Sequence, residues 1–211
     1  MGTEERLELR RTHARQRPGR RRRLGGAHGN AFLTSLVGAT LLVLLAIEGA
    51  TIPTIHRFLS VHIFVGMLLL GPVVLKLGST GYRVLRYYTH SSEYVRLGPP
   101  QPLMRFIVAP VLIVSTLTLF GSGILLLVEP GRGLVLLLHK ASFIVWFGAT
   151  SIHVLSYALR AARNVVDDLL GRERAGRLYR FSLAAFALAA GAVIAIATYP
   201  LADPWFHRLG H

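Results

Sequence analysis

Three of the nine histidines, His62, His139 and His153, fall inside segments that are otherwise apolar. An ionisable side chain in such surroundings is costly, and its default meaning is a functional site. His139 and His153 stand fourteen residues apart within one apolar run. On a helix, fourteen steps of about 100° return the second side chain to within ~40° of the first, roughly 21 Å further along the axis. One helix face then presents two imidazoles at two depths. A mononuclear zinc site needs its ligands within one or two turns, so this spacing argues against one. Two stacked haems need such a separation, each iron taking one imidazole from this helix and one from a facing helix.

His62 supplies the facing ligand. It lies about four residues into the apolar segment 58–75, and His139 about six residues into 133–159. Alternate spans of a serial bundle run parallel, so the two histidines reach similar depths and can share one haem b. Gly66 and Gly148 leave room for a flat macrocycle, although small residues also serve ordinary helix packing. Arg57, Arg132 and Lys140 are placed to pair with propionates at that surface. A second haem would use His153, and its other ligand is open. Fourteen residues beyond His62 stands Lys76, which binds iron only as the neutral amine and otherwise snorkels to the interface. His28 is the alternative, at a comparable depth on the first span but among glycines. The remaining histidines read as surface or edge residues: His13, His207 and His211 in the tails, His90 in a polar loop, and His56 at a span edge.

The elements that carry these residues are five segments of low charge: 31–47, 58–75, 106–128, 133–159 and 181–202. A helix of ~20 apolar residues crosses a bilayer core. The run from Thr40 to Ile47 lacks the polar residue every third or fourth position that a soluble core helix would show. With 52% of residues hydrophobic, the chain as a whole is not disordered. It has no cysteine, which excludes disulfide frameworks, thiolate metal sites, iron–sulfur clusters and c-type haem attachment.

The net charge of +14 invites a nucleic-acid reading, but the positions of the arginines explain it better. Nineteen lie in the N-terminal tail, between spans two and three, or between spans four and five; only Arg57, Arg132 and Arg208 lie on the other side. Basic residues stay cytoplasmic, so the N-terminus is expected inside and the C-terminus outside a bacterial inner membrane. The tail suits anionic lipid, and no nucleic-acid partner is expected. Arg20 to Arg23 before an apolar run resemble the start of an export signal. The run ends at Glu48 to Thr51 without a small-x-small pattern, so it reads as an uncleaved first span. The expected fold is an all-α membrane protein of five transmembrane helices, the first four forming a haem-binding bundle. Residues 1–30 are expected as a basic flexible tail and 31–163 as the four-helix core. Residues 164–211 would supply a cytoplasmic connection, the fifth helix and a short outer tail.

The sequence resembles the four-helix b-type cytochromes, in particular the membrane gamma subunits of bacterial formate dehydrogenases and related quinone-linked oxidoreductases. The likeness rests on the stretch Val61 to Gly66 (VHIFVG), on Ser122-Gly123 ahead of Glu129-Pro130, on Leu138-His139, and on His153 to Leu159 (HVLSYAL). It covers roughly residues 31–163. The resemblance implies bis-histidine haem exchanging electrons with a quinone and a partner redox subunit, with His62 and His139 on the outer haem and His153 on the inner one. The chain departs from the family in span one, where a histidine is expected and Ala31 to Leu36 read AFLTSL.

Two other classes compete. An ion or metal transporter would also keep intramembrane histidines. It would favour inverted repeats and several acidic residues near the midplane, whereas Glu48 alone approaches a span interior. A non-catalytic membrane scaffold with a polybasic tail is the third class. No dinucleotide or phosphate-loop motif is present, so substrate oxidation would belong to a partner subunit.

Overall fold

The computed structural model describes residues 26–98, 101–129, 133–170 and 176–209, the side chains of 207–209 excepted. Within them every element is helical. In chain order these are α1 (Gly26–Thr51), a 3-10 turn (Ile52–Thr54), α2 (Ile55–Tyr88) and a short α3 (Ser92–Val95). There follow α4 (Ala109–Val128), entered through a π turn at Met104–Val108, then α5 (Gly133–Leu169) and α6 (Arg177–Thr198). A second 3-10 turn (Tyr199–Ala202) leads into α7 (Asp203–Leu209). The five apolar segments map onto five separate long helices, 106–128 beginning in the π turn and 181–202 running into the second 3-10 turn. Four stretches are long and apolar enough to cross a membrane: Gly26–Tyr88, Met104–Val128, Gly133–Leu169 and Arg177–Phe206.

The first of these is a hairpin. Pro53 sits in the 3-10 turn between α1 and α2, where a proline cannot continue the α-helical hydrogen-bond ladder. Phe58 then leaves helical geometry (φ −114°, ψ 22°) as α2 starts back. The cross-links run in antiparallel register. Asn30 Nδ2 donates to the Ser79 carbonyl at 3.2 Å, Lys76 Nζ to the Thr34 carbonyl at 2.6 Å, and Thr51 meets His62 beside the turn.

α1 begins at Gly26, so residues 26–30, including His28, form its first turns instead of ending the tail. Gly26 takes a positive φ of 53°, and a Cβ there would stand 2.6 Å from Glu93 Oε2. The carboxylate of Glu93 therefore covers the N-terminus of α1, where negative charge complements the helix dipole.

Neighbouring helices pack in the order α4, α5, α1, α2, α6. Leu33, Val37, Leu41, Val65 and Leu69 form the apolar centre of the α1–α2 hairpin. α6 is not an appendage to a four-helix core, because it packs along α2 and also touches α1. Gly71 and Gly191 set that approach: a Cβ on either would overlap a backbone carbonyl of the facing helix, the close small-residue packing of membrane helices. Beyond α6 the chain turns back, and Trp205 Nε1 donates to the Leu126 carbonyl at the end of α4 at 2.8 Å. α2 and α5 make no substantial backbone contact. They stand apart across the bundle.

Beside its apolar core the bundle buries several hydroxyls and exposes many large apolar side chains. Ser35, Ser79, Ser115, Thr116, Ser122 and Ser142 are buried, while Leu134, Leu155, Leu178 and Phe186 are more than two-thirds exposed. An exposed apolar surface of this extent calls for a nonpolar surrounding.

The two ends of the bundle differ in charge. One end, the hairpin end, holds the α1–α2 turn, the α4–α5 connection and the α6–α7 turn; of its basic residues, Arg132 lies outside the described residues. The other, the basic end, carries Arg83, Arg86, Arg96, Arg105, Arg160, Arg163, Arg177 and Arg180 by their positions along the helices. Arg180 and Asp168 form an ion pair there, each side chain only 2% exposed. Arg180 Nε donates to Asp168 Oδ2 at 3.0 Å, its terminal nitrogen donates to Oδ1, and the guanidinium lies over the Phe32 ring. This clamp joins α5, α6 and α1.

Candidate functional site

Near the hairpin end, the rings of His62 from α2 and His139 from α5 lie close together, although the two helices make no substantial backbone contact. Their ring centres are 6.4 Å apart and their planes nearly perpendicular, at 85°. Each ring is held from behind. Thr51 Oγ1 donates to the Glu48 carbonyl at 2.6 Å, so toward His62 Nδ1, 3.0 Å away, the same oxygen serves as acceptor. Glu48 Oε1 lies 2.9 Å from that nitrogen. A carboxylate and a hydroxyl already committed as donor both require Nδ1 to carry the hydrogen.

His139 is fixed in the same sense by a different helix. Its Nδ1 is 3.1 Å from the Leu119 carbonyl and 3.1 Å from Ser122 Oγ. Ser122 donates its own hydrogen to the Thr118 carbonyl at 2.6 Å. A carbonyl only accepts, so Nδ1 of His139 also carries the hydrogen. Gly123 makes room, since a Cβ there would stand 3.2 Å from His139 Cε1. Two turns further along α5, Trp146 Nε1 donates to Thr116 Oγ1 at 3.1 Å and locks the α4–α5 pair.

Both rings therefore have a lone pair on Nε2, and neither Nε2 has a hydrogen-bond partner among the described residues. A neutral imidazole oriented by a bond at Nδ1 and open at Nε2 is the form that binds metal. Two imidazoles bound to one metal from opposite sides, with metal–nitrogen bonds of about 2 Å and ring centres ~1 Å further back, have their centres roughly 6 Å apart. The observed separation matches. Among the described residues no group of three or more His, Asp or Glu side chains forms a metal cage. A pair of imidazoles would suit a metal that brings its remaining ligands with it, as a porphyrin iron does. Glu48 Oε2 is buried with no hydrogen-bond partner among the described residues, a negative edge suited to a cationic centre nearby. His62 and His139 are the residues that could hold such a group, through their Nε2 atoms.

The other sequence candidates are placed differently. His153 lies further along α5, with its ring centre 5.1 Å from that of Tyr157 and no hydrogen-bond partner among the described residues. It is within electrostatic range of the Lys76 ammonium. That ammonium is held on the Thr34 carbonyl of α1, and a Cβ on Gly38 would stand 2.9 Å from Nζ. His28 is exposed in the first turn of α1, six residues or about 9 Å of helix before Thr34. Gly66 faces Glu48 Oε1 and Gly148 faces open space. Arg57 stacks on Phe58, Lys140 is exposed, and His56 and His90 are exposed. His13 and His211 lie outside the described residues, as does the side chain of His207.

Sequence reading missed Glu48, Thr51, Ser122 and the Leu119 carbonyl as partners of the two rings. Pro53 was the usable signal. A turn there folds the end of α1 back beside the start of α2 and brings Glu48 and Thr51 to His62. Comparison with family models, with curated proteins and with solved structures gives no match.

Proposed function

We propose that this chain is a multi-pass membrane cytochrome of b type that carries electrons between a quinone pool and a partner redox subunit. The observation that carries this reading is the His62–His139 pair: two imidazoles on helices that stand apart, each held at Nδ1 and open at Nε2, with ring centres 6.4 Å apart. Haem b bound between them would supply a one-electron couple in a low-dielectric interior. The chain's own residues hold and orient the ligands. Glu48 and Thr51 fix His62, Leu119 and Ser122 fix His139, and the Trp146–Thr116 bond keeps α4 and α5 in register. The exposed apolar helix faces exclude water from the site by contact with lipid tails.

The chain crosses the membrane five times in this reading, α1 and α2 each counting as one span of the hairpin. The arginine-rich end faces the cytoplasm, and the Glu48–His62–His139 site lies toward the outer face. In this reading His153 would serve a second haem. Its opposite ligand would be Lys76 after release from the Thr34 carbonyl, or His28 after movement of the start of α1. The sequence carries no dinucleotide or phosphate-loop motif, and in this reading the chain is the electron-transfer subunit of a quinone-linked oxidoreductase whose partner oxidises the substrate.

A dithionite-reduced minus oxidised visible spectrum of protein expressed with haem supplied tests this reading. A b-type alpha band is the expected result. A colourless, folded protein would exclude it and favour an ion pathway through the same histidines.

A further inference from the structure

Glu48 is the acidic group nearest the paired imidazoles, and its setting is unusual. It sits one turn before the end of α1, with a side chain only 15% exposed. One carboxylate oxygen accepts from His62 Nδ1 at 2.9 Å, while the other is buried without a hydrogen-bond partner among the described residues. Buried carboxylates normally fill both oxygens. His139 differs: its Nδ1 meets a neutral carbonyl and a hydroxyl. The two rings are thus inequivalent, one backed by a carboxylate and the other by a dipole. Nothing in the packing demands a charge at position 48. Even a Cβ added at Gly66 would stand 3.4 Å from Oε1, an ordinary contact, and a neutral amide at position 48 would fill the same volume.

Resting on the haem reading above, we propose that Glu48 is a positioning and tuning residue: its carboxylate draws the Nδ1 hydrogen of His62 and thereby sets the reduction potential of the iron that His62 and His139 would share. A ligand imidazole whose far nitrogen donates to a carboxylate becomes a stronger electron donor to its metal. The fixed negative charge adds to this in a medium of low dielectric, where Coulomb interactions are weakly screened. Both effects favour the oxidised iron and lower the potential. The hydroxyl of Thr51 has no net charge and serves mainly to aim the ring.

The test is a spectroscopic redox titration of the full chain in detergent, comparing wild type with Glu48→Gln and Thr51→Val. Glutamine keeps an oxygen for the Nδ1 hydrogen but removes the charge. Glu48→Gln is expected to bind haem as wild type does, with the same reduced band. Its midpoint should rise by the equivalent of at least tenfold in the reduction equilibrium, about 59 mV for one electron. Thr51→Val is expected to shift the midpoint by less than half as much. An unchanged midpoint in Glu48→Gln would overturn the proposal. Loss of haem from that variant would also overturn it, because the carboxylate would then be holding the ring and not tuning it. A wild-type chain that binds no haem would remove the proposed function itself.

Discussion

The hairpin end and the basic end of the bundle use their polar side chains in opposite ways. Toward the basic end several interhelical polar groups close on other protein groups, although Arg86 Nε is buried without a hydrogen-bond partner among the described residues. Lys76 bonds the Thr34 carbonyl, Asn30 the Ser79 carbonyl, Asn164 Nδ2 reaches Ser35 Oγ at 3.0 Å, and Arg180 closes on Asp168. At the hairpin end the polar groups converge behind two imidazoles and leave the front of each ring open. Buried polar groups are normally satisfied within the fold. The two open lone pairs at His62 and His139 are what the proposed haem would fill. Polar side chains thus tie helices to one another at one end and hold two imidazole rings at Nδ1 at the other.

The Asp168–Arg180 clamp offers the largest perturbation of this contrast. Arg180→Ala leaves a carboxylate buried without its partner, and breaking a buried pair from one side costs about 3–5 kcal/mol. Thermal unfolding in detergent should show a clear loss of stability, while the molecules that remain folded keep their haem signal. Selective loss of that signal with unchanged stability would erase the distinction between the two ends. Gly123→Leu acts at the hairpin end with a smaller effect on stability. Its side chain displaces the His139 ring, and overpacking of this kind costs about 1–3 kcal/mol. Haem affinity, measured by titration into haem-free protein, should fall by at least tenfold. The unfolding temperature should move less than in Arg180→Ala.

Much of this was legible in the sequence. The apolar runs marked the long helices because no polar residue interrupts them at helical spacing, and the positions of His62 and His139 within their runs placed the two rings at one level. Other features depend on pairings that leave no local pattern. Glu48 reads as an edge residue until the turn at Pro53 brings it behind His62. Arg180 reads as one more cytoplasmic arginine, and only the packing of α6 on α1 and α2 brings its guanidinium to Asp168 and Phe32. Gly71 and Gly191 are unremarkable alone, and their meaning lies in facing each other's helix. Lys76 stood at the right spacing for a ligand, but Thr34 offered its ammonium a carbonyl closer at hand.

The account depends on His62 and His139 serving one haem. Haem per chain, measured by pyridine haemochrome on wild type, on His62→Ala, on His139→Ala and on the double variant, addresses this directly. Each single substitution is expected to remove the same spectral component, with the double variant losing no more than either single one and His153→Ala retaining that component. Two different components lost from the two single variants, or losses that add in the double variant, would show that the two imidazoles bind separate centres and would contradict the pairing.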